Sequence, residues 1–304
     1  MVQQEINFFS FAVFESLLSF FLNLYIMVFH VKSLRNGIKL TPINLIQLVM
    51  GATNISMRGT MLGGSIALAF SLDYAIRLYH ITLIIVPFHL NFSYWLIAWL
   101  CTYYCTTITN IRHRIITWMK NGLRSYLPHL LLLSAVMSLI LSVQSDWFVH
   151  IQISNNNSTI RNILPYFRFS ITNLNLLIFT FLCTCLPFLI ILGSLLVTMS
   201  SLFRHIWKVK KYNSSPNLQA HISAVRTMLL LLVLSITINI AEIVKLVAMS
   251  IFEDSVQLII WLIVATFPMM EGAIIIQSSR KLKKMFLQRF CIGRCIGAIE
   301  DIRQ

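Results

Sequence analysis

Residues 222–250 read ISAVRTMLLLLVLSITINIAEIVKLVAMS. At about 1.5 Å of rise per residue, a helix over this stretch crosses the roughly 30 Å hydrocarbon core of a bilayer with length to spare. Its charges are few: Arg226 near its start, and Glu242 and Lys245 near its end. The rest of the chain is built alike. Of 304 residues, 57% are hydrophobic and only 11% are charged, against roughly 25% charged in an ordinary soluble domain. One soluble core could not hide that much apolar surface. Most soluble enzymes and nucleic-acid binders are thereby excluded, despite a net charge of +14.

Working outward from that stretch gives seven spans, roughly Asn7–Phe29, Thr41–Ser65, Ile84–Ile111, Ser125–Trp147, Ile171–Phe203, Ile222–Ser250 and Val256–Ser278. The expected fold is an all-α seven-transmembrane helix bundle. The second span is the most interrupted, by Gly51, Asn54, Arg58, Gly59, Gly63 and Gly64. A six-span scheme would drop it. Ser71–Ile81, with Asp73 and Arg77, reads as its outer end and a loop.

The basic residues decide the orientation. Nineteen of the 24 Lys and Arg fall after spans one, three, five and seven, Arg226 at the entry to span six counted among them. Three (Arg77, Arg161 and Arg168) fall in the other loops, and Arg58 and Lys245 lie within spans. This predicts an N-terminus outside, a cytoplasmic C-terminus and an odd number of spans. Residues 1–279 would form the bundle and 280–304 a cytoplasmic basic tail. No basic segment precedes the first apolar stretch, which reads as a signal anchor rather than a cleaved leader.

The longest outside loop, about Phe148–Ser170, contains NNNST, in which Asn156 and Asn157 each open a glycosylation sequon. Use of either implies passage to the plasma membrane. None of the six cysteines lies in an outside loop, so no disulfide can tie that loop to span three. Cys291 and Cys295, beside Arg289 and Arg294, are either palmitoylation sites or inert tail thiols.

Charges inside a membrane are costly and usually functional. Arg58 must face the bundle interior. Asn23 of span one is one expected partner and Glu271 of span seven another. The arrangement serves either a switch or a purely structural polar network. Glu15, two turns from Asn23, would sit in the interior or near the headgroups. Glu242 and Lys245 stand i, i+3 on one face of span six, where they neutralise each other or bind a ligand together. Trp95, Trp99 and Tyr103 are one turn apart, a stripe that serves either packing or a ligand wall. Pro187 and Pro268 interrupt spans five and seven and permit kinks. Phosphate loops, helical metal pairs and nucleophile elbows are missing from the sequence, as are transporter-like repeats and pore filters. No cofactor, catalytic residue or metal is expected, and no nucleic-acid partner. The reading is a signalling receptor, not an enzyme.

Several segments together resemble the type 2 taste receptors, the bitter receptors. Glu15, Asn23 and Ile26 fit the family's first span, although Ser19 replaces a usual Gly. Leu40–Pro42 with Ser56 and Arg58 fits the second. Trp95, Tyr103–Tyr104, Asn110, Trp118 and Lys120 fit the third and its exit. Leu186–Phe188, Ser194–Leu195 and Arg204–His205 fit the fifth. Ser215–Arg226, SPNLQAHISAVR, resembles the segment leading into the sixth, and Pro268 with Lys281–Lys283 fits the seventh and the tail. The resemblance spans nearly the whole chain. It departs at Glu271–Gly272, where the family has His-Ser, at Ser278–Ser279 for Gly-Asn, at Thr106–Thr109, and at Arg112 and Arg114.

The resemblance implies a receptor for small, often apolar agonists, with a pocket in the outer half between spans three, five, six and seven. Trp95, Trp99, Glu242 and Trp261 would line it, joined by Tyr103 and Lys245 from the stripe and the pair above. Asn23, Arg58, Tyr104, Pro187, Pro268 and Glu271 would form the switch or its framework. His113, Lys120, Arg204, His205, Lys208 and Lys210 would face a gustducin-like heterotrimeric G protein, or else be ordinary positive-inside charge. The alternatives are a type 1 vomeronasal-like pheromone receptor, with a similar span plan, and a membrane transporter or enzyme. The SPNLQAHISAVR segment favours the taste receptors over the first. The lack of repeats and catalytic clusters counts against the second.

Overall fold

The computed structural model describes residues 2–37, 40–69, 75–109, 114–147, 149–153, 167–171, 174–211, 219–248 and 254–290. In chain order they form α1 (Val2–Arg35), α2 (Pro42–Ala69), α3 (Ala75–Ile108), α4 (Arg114–Trp147), β1 (Val149–Ile153), β2 (Phe167–Ile171), α5 (Leu174–Lys211), α6 (Gln219–Ala248), α7 (Asp254–Ser278) and α8 (Arg280–Phe290). Seven long helices are present. Among the described residues, five qualify as membrane spans by length and apolarity alone: Ser10–Arg35, Ile84–Ile108, Ser125–Val143, Cys185–Arg204 and Ile222–Val244. Leu262–Ser278 qualifies together with the helix after it, across a 100° bend. The long helix missing from that set is α2. Asn54 and Arg58, which lower its hydropathy, are buried, so it needs no wholly apolar surface.

The helices run on past the expected spans, α5 as far as Lys211 and α4 back to Arg114. Residues 75–81, expected in a loop, are the first turns of α3. Ile171, expected in span five, belongs to β2, which pairs antiparallel with β1 from Val149↔Ile171 to Ile153↔Phe167. The sequon residues Asn156 and Asn157 lie outside the described residues, as do His113, Cys291 and Cys295.

α3 is the central element, packed on α2, α4, α5 and α6, while α7 closes the bundle against α1, α2 and α6. Its burial fits that place: Leu96, Ile97, Ala98, Leu100 and Cys101 are fully buried. The outer faces carry exposed Leu, Val and Ile, such as Leu132, Leu133 and Ile140 on α4. That inversion suits a hydrocarbon solvent, where apolar side chains gain little by hiding from lipid.

α1 ends where Gly37 takes a left-handed φ of 74°. Its N–H donates to Leu34 O at 2.9 Å, so a left-handed glycine closes the helix. Gly51 lets α1 and α2 approach closely. A Cβ there would stand 3.2 Å from Met27 Cγ and 3.3 Å from Asn23 O. α8 turns off the end of α7 and is pinned to α1. Tyr25 Oη donates to Leu282 O at 3.1 Å, and the Tyr25 and Phe286 rings meet edge to face at 5.1 Å. The end of the bundle that holds the α1–α2 turn, the start of α6 and α8 is called the basic end below.

Candidate functional site

Two polar clusters lie inside the bundle. The first joins α1, α2 and α7. Asn23 Nδ2 donates to Ser19 O at 2.9 Å and across to Pro268 O at 3.0 Å, and its Oδ1 accepts from Asn54 Nδ2 at 3.0 Å. Gly272 makes room for this amide. A Cβ there would come within 3.1 Å of both Asn23 Oδ1 and Nδ2.

One level further from the basic end, Arg58 Nη2 stands 3.1 Å from Glu15 Oε2, and each side chain is 1% exposed. Arg58 Nη1 donates to Ala265 O at 3.2 Å, and Nη2 to Ala12 O at 3.4 Å. Pro268 lacks the N–H that Val264 O would accept. Ala265 O lies in that same loosened turn, and the guanidinium reaches into it.

The expected partners of Arg58, Asn23 and Glu271, are thus corrected to Glu15. Helix geometry explains it. α1 and α2 run antiparallel, with Asn23 and Asn54 level. Glu15 is about 12 Å along α1 from Asn23, and Arg58 about 6 Å along α2 from Asn54. The long Arg side chain covers the difference. Glu271 is fully buried one turn from Pro268. Among the described residues neither of its carboxylate oxygens has a hydrogen-bond partner. The Asn54 amide is its polar neighbour, outside hydrogen-bonding geometry.

The second cluster lies in the half of the bundle away from the basic end, on α3. His89 Nε2 is 2.9 Å from Ser56 Oγ of α2. Ser93 and Tyr94 are buried, and among the described residues neither hydroxyl has a hydrogen-bond partner. The Tyr94 ring meets Phe267 of α7 edge-on at 6.3 Å, and the Glu242 carboxylate of α6 is within electrostatic reach of its hydroxyl. Tyr94, Phe267 and Glu242 thus converge from three helices on one interior region.

Trp95 and Trp99 stack on each other at 6.0 Å. Trp99 Nε1 donates to Ser134 Oγ of α4 at 3.0 Å, so this residue is turned to the α3–α4 contact. Tyr103 packs half-buried against the core, and Tyr104 faces Ser278 of α7. Pro187 is buried in α5 and Arg204 exposed beyond it. The side chains of Lys120, His205, Lys208, Lys210, Lys245 and Trp261 lie outside the described set. Sequence reasoning missed Tyr94 and the pairing of Glu15. The spacing of His89 and Ser93 four apart, with Tyr94 beside them, was the available signal.

The family model described as "Taste receptor protein (TAS2R)" matches residues 1–294. The chain belongs to this taste receptor family. Taste receptor type 2 member 4 of Pongo pygmaeus is 25% identical, over 95% of this chain and 99% of that receptor. The Mus musculus member 4 is 27% identical, over 93% and 96%. Taste receptor type 2 member 40 of Gallus gallus is 25% identical over 64% of this chain, and this chain spans 65% of that receptor's length. Squid rhodopsin superposes with a TM-score of 0.63 over 92% of this chain and 79% of its own, at 13% identity. That likeness shows the seven-helix receptor fold. The family match decides against the vomeronasal-like and transporter alternatives, and it makes the protein a multi-pass membrane receptor rather than an enzyme.

Proposed function

We propose that the protein is a bitter-type chemosensory receptor of the plasma membrane. Its small-molecule agonists would enter from outside and bind in the half of the bundle away from the basic end. Binding shifts a pre-existing equilibrium between inactive and active bundles. The basic end is cytoplasmic by the positive-inside rule and meets a gustducin-like heterotrimeric G protein through Arg204 and the neighbouring His113, Lys120, His205, Lys208 and Lys210. The N-terminus and the Asn156–Asn157 loop are outside, and residues 280–304 follow the bundle as a tail.

The observation that carries the ligand site is the buried Tyr94 hydroxyl, without a hydrogen-bond partner among the described residues and within electrostatic reach of Glu242. A buried donor without a partner costs about 1–3 kcal/mol. A ligand acceptor placed there recovers that cost, and the Phe267 ring supplies an apolar wall. Such a mix of apolar lining and a few convergent polar groups is typical of small-molecule sites. Trp95 and Trp261 extend the proposed wall. Tyr103 and Lys245 are the further lining residues, while Trp99 is the weakest of the set because its N–H is already used on Ser134.

The test is an agonist dose–response in cells expressing Tyr94→Phe or Trp95→Ala at matched surface levels. Loss of the Tyr94 hydroxyl removes one hydrogen bond and weakens potency by roughly 2- to 10-fold. Dose–response curves unchanged for both variants would remove α3 from the pocket.

A further inference from the structure

At the basic end, a cleft of about 420 Å³ opens between α6, α7 and α8. This lies within the size range of small-molecule sites. Arg226 of α6 and Arg280 and Lys283 of α8 line it, with Ser223, Gln277 and Ser278 among the polar residues. Three cations from two elements converge, and among the described residues no carboxylate lines the cleft. Among the described residues none of the three is in an ion pair. Two of the hydroxyls are already engaged: Thr227 Oγ1 donates to Ser223 O at 2.9 Å, and Ser278 Oγ to Ile275 O at 2.8 Å. The donors left to a ligand are the three cations, the Ser223 hydroxyl and the Gln277 amide. That set suits a multiply charged oxyanion. Two guanidiniums can each grip a phosphate with paired N–H groups, and the ammonium adds a point charge.

The surroundings favour a lipid as the source of the phosphate. One turn from Arg226, Leu230 lines the same cleft and is 36% exposed, and Val233 continues the exposed stripe along α6. On α7, exposed Met270 continues the line of Gln277 away from the basic end. A charged floor at headgroup depth thus passes into an apolar groove at acyl depth. Basic pockets between helices on the cytoplasmic side hold phosphorylated lipid headgroups in this way.

We propose that this cleft binds one phosphoinositide-type lipid, its headgroup phosphates held by Arg226, Arg280 and Lys283 and its chains laid along Leu230 and Val233. Three positive charges match a polyphosphorylated headgroup better than a singly charged phosphatidylserine. The lipid would bridge α6 to α8 and hold the start of α6 against α7. The proposal rests on the cytoplasmic placement of the basic end and is independent of any bitter agonist.

The test uses the purified full-length receptor in nanodiscs of phosphatidylcholine, titrated with a fluorescent phosphatidylinositol bisphosphate. Lipid reaches both leaflets of a nanodisc, so the measurement succeeds or fails apart from orientation and agonist response. Saturable binding of one lipid per receptor is expected. Each cation near the surface attracts an anionic lipid by about fivefold, so the triple variant Arg226→Gln/Arg280→Gln/Lys283→Gln binds about a hundredfold more weakly. Lys281→Gln/Lys284→Gln removes charge from exposed positions of α8 that do not line the cleft; at the same attraction per charge it weakens binding by at most about 25-fold, less than the triple variant. Non-saturable binding to the unaltered receptor overturns the proposal, as does an equal loss in both variants. Soluble inositol trisphosphate competing as tightly as the lipid would assign the site to a free phosphate and overturn the lipid claim.

Discussion

Glu15→Gln probes the buried ion pair directly. The amide keeps the shape of the side chain and removes the countercharge 3.1 Å from Arg58 Nη2. Arg58 stays charged, since a guanidinium does not give up its proton in a protein. It keeps two neutral acceptors, Ala265 O at 3.2 Å and Ala12 O at 3.4 Å. Breaking a buried pair from one side costs about 3–5 kcal/mol. The retained carbonyl bonds place this case near the lower figure, about 3 kcal/mol, or about a hundredfold in the folding equilibrium. Unfolding of the purified receptor in micelles, followed by tryptophan fluorescence, measures it. The double variant Glu15→Gln/Arg58→Gln removes both charges and should be more stable than the sum of the single losses allows. A coupling of about 2 kcal/mol is expected, within the range for directly paired residues. Glu15→Gln within about 0.5 kcal/mol of the unaltered receptor, or strict additivity in the cycle, would refute the argument that the pair is integral to the bundle.

Gly272→Ala forces a methyl against the Asn23 amide and disturbs its bonds to Pro268 O and Asn54. A loss of about 1–3 kcal/mol is expected, shrinking when Asn23→Ala is present in the same chain; the same unfolding assay reads both. Gly37→Ala strains the α1 cap at φ 74° and costs about 1 kcal/mol, visible as a lower unfolding midpoint with agonist potency unaltered. Trp99→Phe removes the hydrogen bond to Ser134 and lowers stability by about 1 kcal/mol. Agonist potency should hold within about twofold, since hydrogen-bond losses at a ligand would exceed that; a larger potency loss would return Trp99 to the ligand wall.

The helices were legible because each crosses a bilayer, and length and apolarity are local properties of the chain. α2 was legible in spite of Arg58 and Asn54, because the loop charges demanded an odd number of spans. Partner choice was harder. Whether Arg58 meets Asn23, Glu271 or Glu15 depends on how far two antiparallel helices slide past each other. Nothing within either helix records that offset. The departure at Glu271–Gly272 was visible, but the close approach of Gly272 to the Asn23 amide needed α1 brought against α7. On α3 the Trp95–Trp99–Tyr103 stripe drew attention because aromatic residues one turn apart share a face. Tyr94 lies about 100° round the helix, on the face that meets α6 and α7. The strands Val149–Ile153 and Phe167–Ile171 lie, but for Ile171, within the expected outer loop; VHIQI and FRFSI alternate polar and apolar residues, a signal too short to stand out beside the long apolar spans.

The chemosensory reading is tested most directly by calcium imaging of cells that express the receptor with a gustducin-type chimeric G protein, challenged with a broad panel of bitter compounds. The account predicts a saturable response to at least one compound, absent without the receptor or the G protein. Silence across the panel, with the receptor confirmed at the cell surface, would contradict it.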